Sequence, residues 1–179
     1  MKLAGSKGIW IVWIGFWMTF QSCSDNATPL FFVDVERDFN VEQNLNPVET
    51  HFFILKNIPT NLEQNLEIFG LPEENISTIG PADAVLTTVS GLMDWSFVSW
   101  VEIYAVSRVD PNRKEQMFFI RSRDPGSRNE LRLFNTLADL SDIMTEETID
   151  LEIRLRTFTS VTGNFRARLL FNYAVFDEI

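Results

Sequence analysis

The chain has 179 residues, of which 45% are hydrophobic and 22% charged, as expected for a folded domain rather than a disordered segment. Its formal net charge of −10 argues against nucleic-acid binding, because neutralising phosphates requires clustered Lys and Arg. The single cysteine, Cys23, excludes an intrachain disulfide framework and a cysteine-based zinc site, and the single histidine, His51, excludes a multi-histidine metal site. We therefore expect one folded domain with no nucleic-acid partner, no bound metal and no cofactor.

The N-terminal residues have the pattern of a secretory signal peptide. Lys2 and Lys7 supply positive charge, and residues 9–20 form an uncharged apolar run. A helix that crosses a membrane needs about 20 such residues, so this run is too short to span comfortably. Its length and its basic flank are typical of the hydrophobic region of a signal peptide.

A cysteine follows the apolar run in the sequence Phe20-Gln21-Ser22-Cys23, with the small residue Ser22 directly before it. This segment resembles the lipobox of bacterial lipoprotein precursors, in which Leu, then Ala or Ser, then Gly or Ala precede the cysteine. Phe20 in place of Leu and Gln21 in place of a small residue are similar to the loosened boxes of Bacteroidota-type lipoproteins. The resemblance covers residues 1–23.

The resemblance implies cleavage before Cys23, lipidation of its thiol and acylation of the new N-terminus, so that two or three acyl chains hold the protein stably on a membrane. By the same analogy, Ser24 favours the outer membrane, with its periplasmic and cell-surface faces both open. The alternative is a plain secretory signal or an uncleaved anchor, with Cys23 present by chance. The predicted organisation is a signal peptide over 1–22, a lipidated N-terminus and tether over 23–29, and a β-sandwich domain over 30–179.

Apolar and polar residues alternate with a period of two along most of the remaining chain, which predicts β-strands. The predicted strands are 31–36, 48–56, 85–89, 96–108, 115–122, 130–134, 149–156 and 165–175. Apolar residues on both faces of 96–108 predict a central strand. Strands at this spacing with few helices predict an all-β fold, an antiparallel β-sandwich of seven to nine strands with one or two short helices.

Two short helical segments interrupt the strands. The first has Asn61 as its candidate N-cap and ends at Gly70, and the second covers 136–144. The residues predicted to face inward are Leu62, Leu66 and Phe69 in the first segment and Leu137, Leu140 and Ile143 in the second.

The candidate ligand-binding residues lie on the predicted central strand and beside it. They are Trp95, Trp100, Tyr104 and Arg108. If exposed, the rings of Trp100 and Tyr104 form a platform on which sugar rings stack, and the charged neighbours bond hydroxyl groups. If buried, the same rings belong to the sandwich core, as is typical of a strand that is apolar on both faces.

Charged residues elsewhere are expected to pair across strands. The last two predicted strands are expected to form a hairpin, with a charged ladder made by Glu152, Arg154 and Arg156 facing Arg166 and Arg168. Four arginines flank a predicted turn at Pro125-Gly126, as part of a salt-bridged hairpin or as a surface for an acidic partner, lipid phosphate or lipopolysaccharide. They are Arg121, Arg123, Arg128 and Arg132.

The remaining candidates for chemistry have simpler interpretations. The sequence contains no G-x-S-x-G motif with which His51 could act, so we interpret this residue as an exposed or hydrogen-bonded strand histidine. The acidic residues within 34–38 and 139–150 do not match the spaced calcium-loop motif, and we interpret them as a solvated surface.

Three functional hypotheses remain. The first, favoured by the anchor signal and by the absence of a catalytic motif, is a non-catalytic outer-membrane lipoprotein that acts as an accessory or binding subunit of an envelope assembly with a protein partner. The second is a carbohydrate- or surface-ligand-binding module that uses exposed aromatics. The third is a hydrolase with a carboxylate pair, whose spacing is a property of the fold rather than of the sequence. No catalytic residue is assigned.

Overall fold

The computed structural model describes residues 28–90, 94–121 and 129–177. Within these ranges the chain forms eight strands, which are β1 (Phe31–Val41), β2 (His51–Pro59), β3 (Ile76–Ser90), β4 (Val98–Val106), β5 (Lys114–Arg121), β6 (Glu130–Asn135), β7 (Thr148–Thr157) and β8 (Phe165–Asp177). It also forms two α-helices, which are α1 (Leu62–Phe69) and α2 (Ser141–Met144). The predicted signal peptide, Cys23 and the turn at Pro125-Gly126 lie outside the described residues.

The eight described strands run antiparallel in one nearly closed sheet, in the order β1-β8-β3-β6-β5-β4-β7-β2. The sheet has two halves: the first half-sheet is β1-β8-β3-β6, and the second half-sheet is β5-β4-β7-β2. Strands β5 and β6 join the halves through the pairs Phe118–Asn135 and Phe119–Phe134. The predicted all-β antiparallel fold with short helices is confirmed.

The hydrophobic core lies between the two half-sheets. The ring of Phe118 on β5 lies 6.0 Å from that of Phe171 on β8, and the ring of Phe39 on β1 lies 5.3 Å from that of Phe53 on β2. Along β7 every second side chain is buried, namely Ile149, Leu151, Ile153 and Leu155. Burying each such side chain contributes roughly 1.5–3 kcal/mol, so the alternation in the sequence brings the two halves face to face.

Strand β3 is longer than the predicted strand 85–89. Gly80 and Pro81 hide the alternation in its first part, because neither residue is typical of a strand interior. The register between β3 and β8 shifts after Pro81, and there the Asp83 N–H donates to the side-chain oxygen of Asn172 at 2.8 Å. The side chain of Asn172 thus replaces a main-chain partner, and the strand continues through the irregularity.

Strands β7 and β8 do not form the predicted hairpin. β7 pairs with β2 and β4 in the second half-sheet, whereas β8 pairs with β1 and β3 in the first. The predicted ladder between them is therefore wrong, and Arg168 instead contacts Asp38 at 2.8 Å and Glu36 at 2.6 Å on β1. The hydrogen bond from Arg168 holds the pKa of Asp38 below its ordinary value. Alternation reports which face of a strand is buried, but it does not report which strand lies beside it.

The first helix begins and ends close to its predicted limits. Leu62 and Leu66 are buried, and Gly70 ends α1 with a φ of +66°, in the left-handed region that glycine adopts without strain. Asn61 precedes the helix, but its side chain makes no capping hydrogen bond there. No helix in the described parts of the chain is long and apolar enough to cross a membrane.

Two residues that were expected to face inward from the helical segments are exposed. Phe69 is 53% exposed, although its ring stacks on that of Phe31 with the centroids 4.8 Å apart. Leu137 is fully exposed, because α2 begins only after it and Leu137 therefore lies in the segment that leads to the helix. Leu140 and Ile143 are buried as predicted.

The two ends of the sandwich are distinguished by where the chain enters. β1 begins at the proximal end, where the Leu30 N–H donates to the Val175 carbonyl near the end of β8 at 2.8 Å. β4 begins at the opposite, distal end, where the Trp95 ring lies 5.7 Å from that of Phe165 at the start of β8. Residues along β4 are therefore spread from the distal to the proximal end of the domain.

Candidate functional site

The outer face of the second half-sheet carries candidate residues of β4. Trp100, Glu102 and Tyr104 alternate along this face, opposite the core residues of the same strand. Trp100 pairs directly with Arg121 on β5 and with Arg156 on β7. Directly opposed residues have Cβ atoms about 4.5–5.5 Å apart, so these three side chains are neighbours. The outer face contains two groups of aromatic and charged residues, one around Tyr104 and one around Trp100.

Trp95 belongs to neither group. It lies in a short 3-10 turn before β4 and is 0% exposed. Its ring packs 5.9 Å from that of Phe97 and 5.7 Å from that of Phe165. The structure thus places Trp95 in the core, where a ligand at the surface cannot stack on it.

Tyr104 lies in a group that we name the Tyr104 cluster, which consists of Glu102, Tyr104, Lys114, Glu152 and Arg154. The Tyr104 hydroxyl donates to the Glu102 Oε2 atom at 2.7 Å. The guanidinium carbon of Arg154 lies 4.4 Å from the Tyr104 ring centroid, and the Lys114 Nζ atom lies 5.2 Å from it. Glu152 accepts hydrogen bonds from Arg154 Nε at 2.6 Å and from Lys114 Nζ at 3.1 Å. Two carboxylates and two cations are therefore grouped around one aromatic ring.

The charges of the Tyr104 cluster are balanced within the cluster itself. Burial by itself raises the pKa of Glu152, but the hydrogen bonds and charges of Arg154 and Lys114 outweigh it and hold that pKa below its ordinary value. Burial, and then the hydrogen bond with Glu102, raises the pKa of Tyr104. At neutral pH the Glu152 carboxylate is thus charged and the Tyr104 phenol is neutral. The polar atoms of the cluster form hydrogen bonds and ion pairs with one another, so we assign the cluster a structural role.

Trp100 lies in an open groove at the distal end, with a volume of about 1020 Å³. Its lining, which defines what we name the Trp100 groove, includes Val48, Thr50, Ser99, Trp100, Arg121 and Arg156. The Arg156 Nη2 atom donates to the Val48 carbonyl at 3.1 Å. Among the described residues, no carboxylate lies within ion-pair distance of Arg121 or Arg156. The groove therefore joins an aromatic ring to two guanidinium groups that the described part of the chain does not neutralise.

Arg108 lies at the proximal end, away from the Trp100 groove. Its guanidinium Nη1 atom donates to the Thr148 hydroxyl at 2.8 Å, and its Nε atom lies 3.7 Å from an Asp150 carboxylate oxygen. Its backbone N–H donates to Glu146 Oε2 at 2.8 Å. Arg108 thus ties the end of β4 to the start of β7, and the fold does not bring it together with Trp100.

The acidic residues near α2 and the single histidine are engaged in local contacts. Asp142 forms an ion pair with Arg113 at 3.3 Å, and Asp150 accepts a hydrogen bond from the Asn57 N–H at 2.9 Å. His51 Nε2 lies 2.9 Å from a backbone carbonyl oxygen in the preceding turn. Among the residues that the structure describes, no three His, Cys, Asp or Glu side chains are grouped so as to hold a metal ion.

The four arginines beside the Pro125-Gly126 turn separate into different environments. Arg132 forms an ion pair with Glu130 at 2.8 Å, within β6 rather than across a hairpin. Arg121 lines the Trp100 groove, and Arg123 and Arg128 lie outside the described residues. Sequence reasoning did not join Arg121 and Arg156 to Trp100. The signal that could have found them is that Arg121 and Arg156 lie near the ends of β5 and β7, and Trp100 lies near the start of the antiparallel strand between them.

Cys23, the predicted lipidation residue, also lies outside the described residues. Comparison of the sequence with protein-family models and with curated protein sequences gives no match. Two features of the chain bear most directly on its function. They are the lipobox-like segment Phe20-Gln21-Ser22-Cys23 and the Trp100 groove.

Proposed function

We propose that the protein is a non-catalytic binding subunit of a bacterial envelope assembly, held on the outer membrane by lipid on Cys23. The observation that carries the proposal is the lipobox-like segment that ends at Cys23, directly after an apolar run with a basic flank. Residues 24–30 separate this cysteine from β1. A tether of that length reaches about 25 Å when extended, so the proximal end of the domain stays near the membrane. The proposal fits either face of the outer membrane.

The chemistry of the folded domain supports a binding role rather than a catalytic one. Carboxylates of the folded domain accept hydrogen bonds or ion pairs from its arginines, as Glu152 does from Arg154 and as Asp38 does from Arg168. The pKa values of these two carboxylates are lowered, whereas a general acid at neutral pH requires a raised one. A surface with paired charges is typical of a stable scaffold that presents a binding site.

The anchor is tested by metabolic labelling of the full chain with a palmitate analogue in a bacterial host that processes lipoproteins. We expect label in the wild type and in the control variant Ser24→Ala, and loss of label in Cys23→Ala. Membrane fractionation should place the wild type with the outer membrane. Equal labelling of the Cys23→Ala variant would show that the proposed anchor is wrong.

The partner is tested by cross-linking intact cells and isolating the lipidated protein from detergent-solubilised membranes. We expect the same envelope protein in replicate experiments with the wild type, and less of it with Cys23→Ala because the variant lacks the lipid proposed to hold it on the outer membrane. Recovery of no common envelope protein in replicates contradicts the subunit hypothesis.

A second function is favoured by one specific observation, the Trp100 groove. Trp100, Arg121 and Arg156 are neighbours at the distal end, which the proposed tether directs away from the membrane. We therefore also propose that the domain is a module that binds a surface ligand through this groove. This proposal keeps Trp100 from the candidate residues named above and replaces Trp95, Tyr104 and Arg108 with Arg121 and Arg156.

A further inference from the structure

The arrangement of the Trp100 groove is set by strand register. Arg121, Trp100 and Arg156 lie side by side on β5, β4 and β7, and neighbouring strands are about 4.8 Å apart. The two guanidinium-bearing positions are therefore separated by about 10 Å, with the indole between them. An extended ligand that crosses the strands would meet one positive charge, then an aromatic face, then a second positive charge.

These two arginines differ from most others in the domain. Six arginines in the described ranges form ion pairs with carboxylates, namely Arg108, Arg113, Arg132, Arg154, Arg166 and Arg168. Arg121 and Arg156 form none with the carboxylates of these ranges, although the chain carries 25 acidic residues against 15 basic ones. A planar guanidinium presents forked N–H donors that fit carboxylate and sulfate groups. Two such groups at one place in an acidic protein make the groove selective for an anionic ligand.

The Trp100 ring and the groove hydroxyls indicate which kind of anion fits. An indole has a negative face, and the polarised C–H groups of a sugar ring pack against such a face. Thr50 and Ser99 line the same groove and supply hydroxyl groups that exchange hydrogen bonds with sugar hydroxyls. The groove is also far larger than a free inorganic anion requires, since its volume of about 1020 Å³ is at the upper end for ligand sites.

We propose that the Trp100 groove binds an acidic saccharide, with one sugar ring on Trp100 and anionic substituents of the chain on Arg121 and Arg156. The inference rests on the second function proposed above and names its ligand class. It does not depend on lipid at Cys23, because the groove is formed by residues 47–158 of the folded domain.

Isothermal titration calorimetry on the detergent-solubilised full chain tests the proposal. The probes are an oligogalacturonate, which is carboxylated, and a heparin oligosaccharide, which is sulfated. A neutral malto-oligosaccharide, a polyglutamate peptide and sodium sulfate serve as comparison ligands. We expect at least one acidic saccharide to bind, and its affinity to fall as salt is raised because exposed charges are screened. The probe that binds identifies the anionic substituent.

Variants connect that binding to the groove. Arg121→Gln and Arg156→Gln are each expected to weaken the saccharide affinity about tenfold, since each removes a charge-assisted hydrogen bond. The matched control is Arg37→Gln, which removes an arginine that donates to a backbone carbonyl outside the groove. We expect Arg37→Gln to bind as the wild type does. Trp100→Ala is expected to abolish binding, and Trp100→Phe to retain part of it, with circular dichroism confirming that both variants fold.

Several outcomes would overturn the inference. They are no heat of binding with either acidic saccharide, equal affinity for the neutral saccharide or the polyglutamate peptide, displacement by sulfate alone at the same concentration, and equal weakening by Arg37→Gln. Cys23→Ala keeps the two proposals separate, because this variant is expected to lose the palmitate label and to bind the saccharide as tightly as the wild type.

Discussion

The Tyr104 cluster and the Trp100 groove lie on the same face of β4, yet their charges are arranged in opposite ways. Each has an aromatic ring on β4 beside an arginine on β7, Arg154 for Tyr104 and Arg156 for Trp100. In the cluster, Arg154 forms an ion pair with Glu152. In the groove, the described residues provide no carboxylate for Arg156. An aromatic ring next to an arginine is thus not by itself a site, and the difference lies in whether the charge is already paired.

The difference in charge pairing also predicts different roles for the two regions, stability for the cluster and binding for the groove. The lowered pKa of Glu152 reflects its stabilisation by Arg154 and Lys114 in the folded state, and the raised pKa of Tyr104 reflects burial and then its hydrogen bond with Glu102. Charges in the groove contribute little to folding, because exposed arginines that form no ion pair with a described carboxylate gain no ion-pair energy from this part of the chain. We therefore expect substitutions in the cluster to change stability and substitutions in the groove to change binding.

The largest expected effect separates the buried tryptophan from the one in the groove. Trp95→Ala should lower the free energy of unfolding by about 3–5 kcal/mol, because it empties a fully buried site. Trp100→Ala should lower it by less, about 2 kcal/mol, since part of this ring remains exposed to solvent in the fold. Urea denaturation followed by circular dichroism measures both values. Similar losses for the two variants would mean that Trp100 belongs to the core.

The next effect tests the cluster through its central carboxylate. Glu152→Gln should lower the free energy of unfolding by about 2 kcal/mol at pH 7, because it removes a charged acceptor from Arg154 and Lys114. The matched control Glu115→Gln, on the exposed side of β5, should change it by no more than about 0.5 kcal/mol.

The effect of Glu152→Gln should depend on pH in one direction. The folded-state pKa of Glu152 is lowered from 4.5, so its contribution is present above that pH and is lost as the pH falls through the folded value. Urea midpoints of the wild type and the variant should therefore converge toward pH 3. A constant difference between pH 7 and pH 3 would contradict an ionic role for Glu152.

A smaller effect tests the phenol of the cluster. Tyr104→Phe should lower the free energy of unfolding by about 1 kcal/mol at pH 8, because Glu102 loses a hydrogen-bond donor. The folded-state pKa of Tyr104 is raised above 10.0, so this contribution is fully present below pH 10 and is lost as the pH rises through the folded value. Tyrosinate absorbance gives a direct check, since burial also raises the pKa of Tyr173, the second tyrosine of the chain. Ionisation of a folded tyrosine at its ordinary pKa in the wild type, absent from Tyr104→Phe, would contradict the cluster as described.

The smallest expected change in the free energy of unfolding comes from adding a carboxylate to the lining of the groove. Thr50→Glu should place an acidic group beside the arginines and change the free energy of unfolding by no more than about 0.5 kcal/mol, as surface ion pairs do. The same variant should weaken acidic-saccharide binding at least as much as Arg156→Gln does. Thr50→Gln, which adds similar bulk without charge, is the control. Equal weakening by both variants would assign the effect to bulk and remove charge pairing as the explanation.

Much of the fold could be predicted because burial leaves a period of two in the sequence. In β7 and β8 the alternation is regular, and the predicted strands 149–156 and 165–175 agree with the structure within two residues at each end. The first part of β3 escaped prediction because Gly80 and Pro81 interrupt that pattern. The exposure of Leu137 was missed because helical spacing was extended beyond the short helix that forms.

The candidate site was predictable only in part. Trp100 was named as a candidate with its exposure left open, and the structure places it half-buried, but Trp95 was grouped with it although it lies in the core. Closeness along the chain suggested that grouping, whereas a turn before β4 carries the Trp95 ring inward. Arg121 and Arg156 are distant from Trp100 in sequence, and each was assigned to a different charged group.

The sequence by itself determined the all-β class, the position of most strands and the expectation of a lipid anchor at Cys23. These properties depend on local patterns, since alternation reports a buried face and a short apolar run before a cysteine has the form of a lipobox. Tertiary structure alone decided that β7 and β8 lie in different half-sheets and that Arg121 and Arg156 flank Trp100. The physical reason is that strand order and register arise from packing between distant segments, and packing determines which charges find partners.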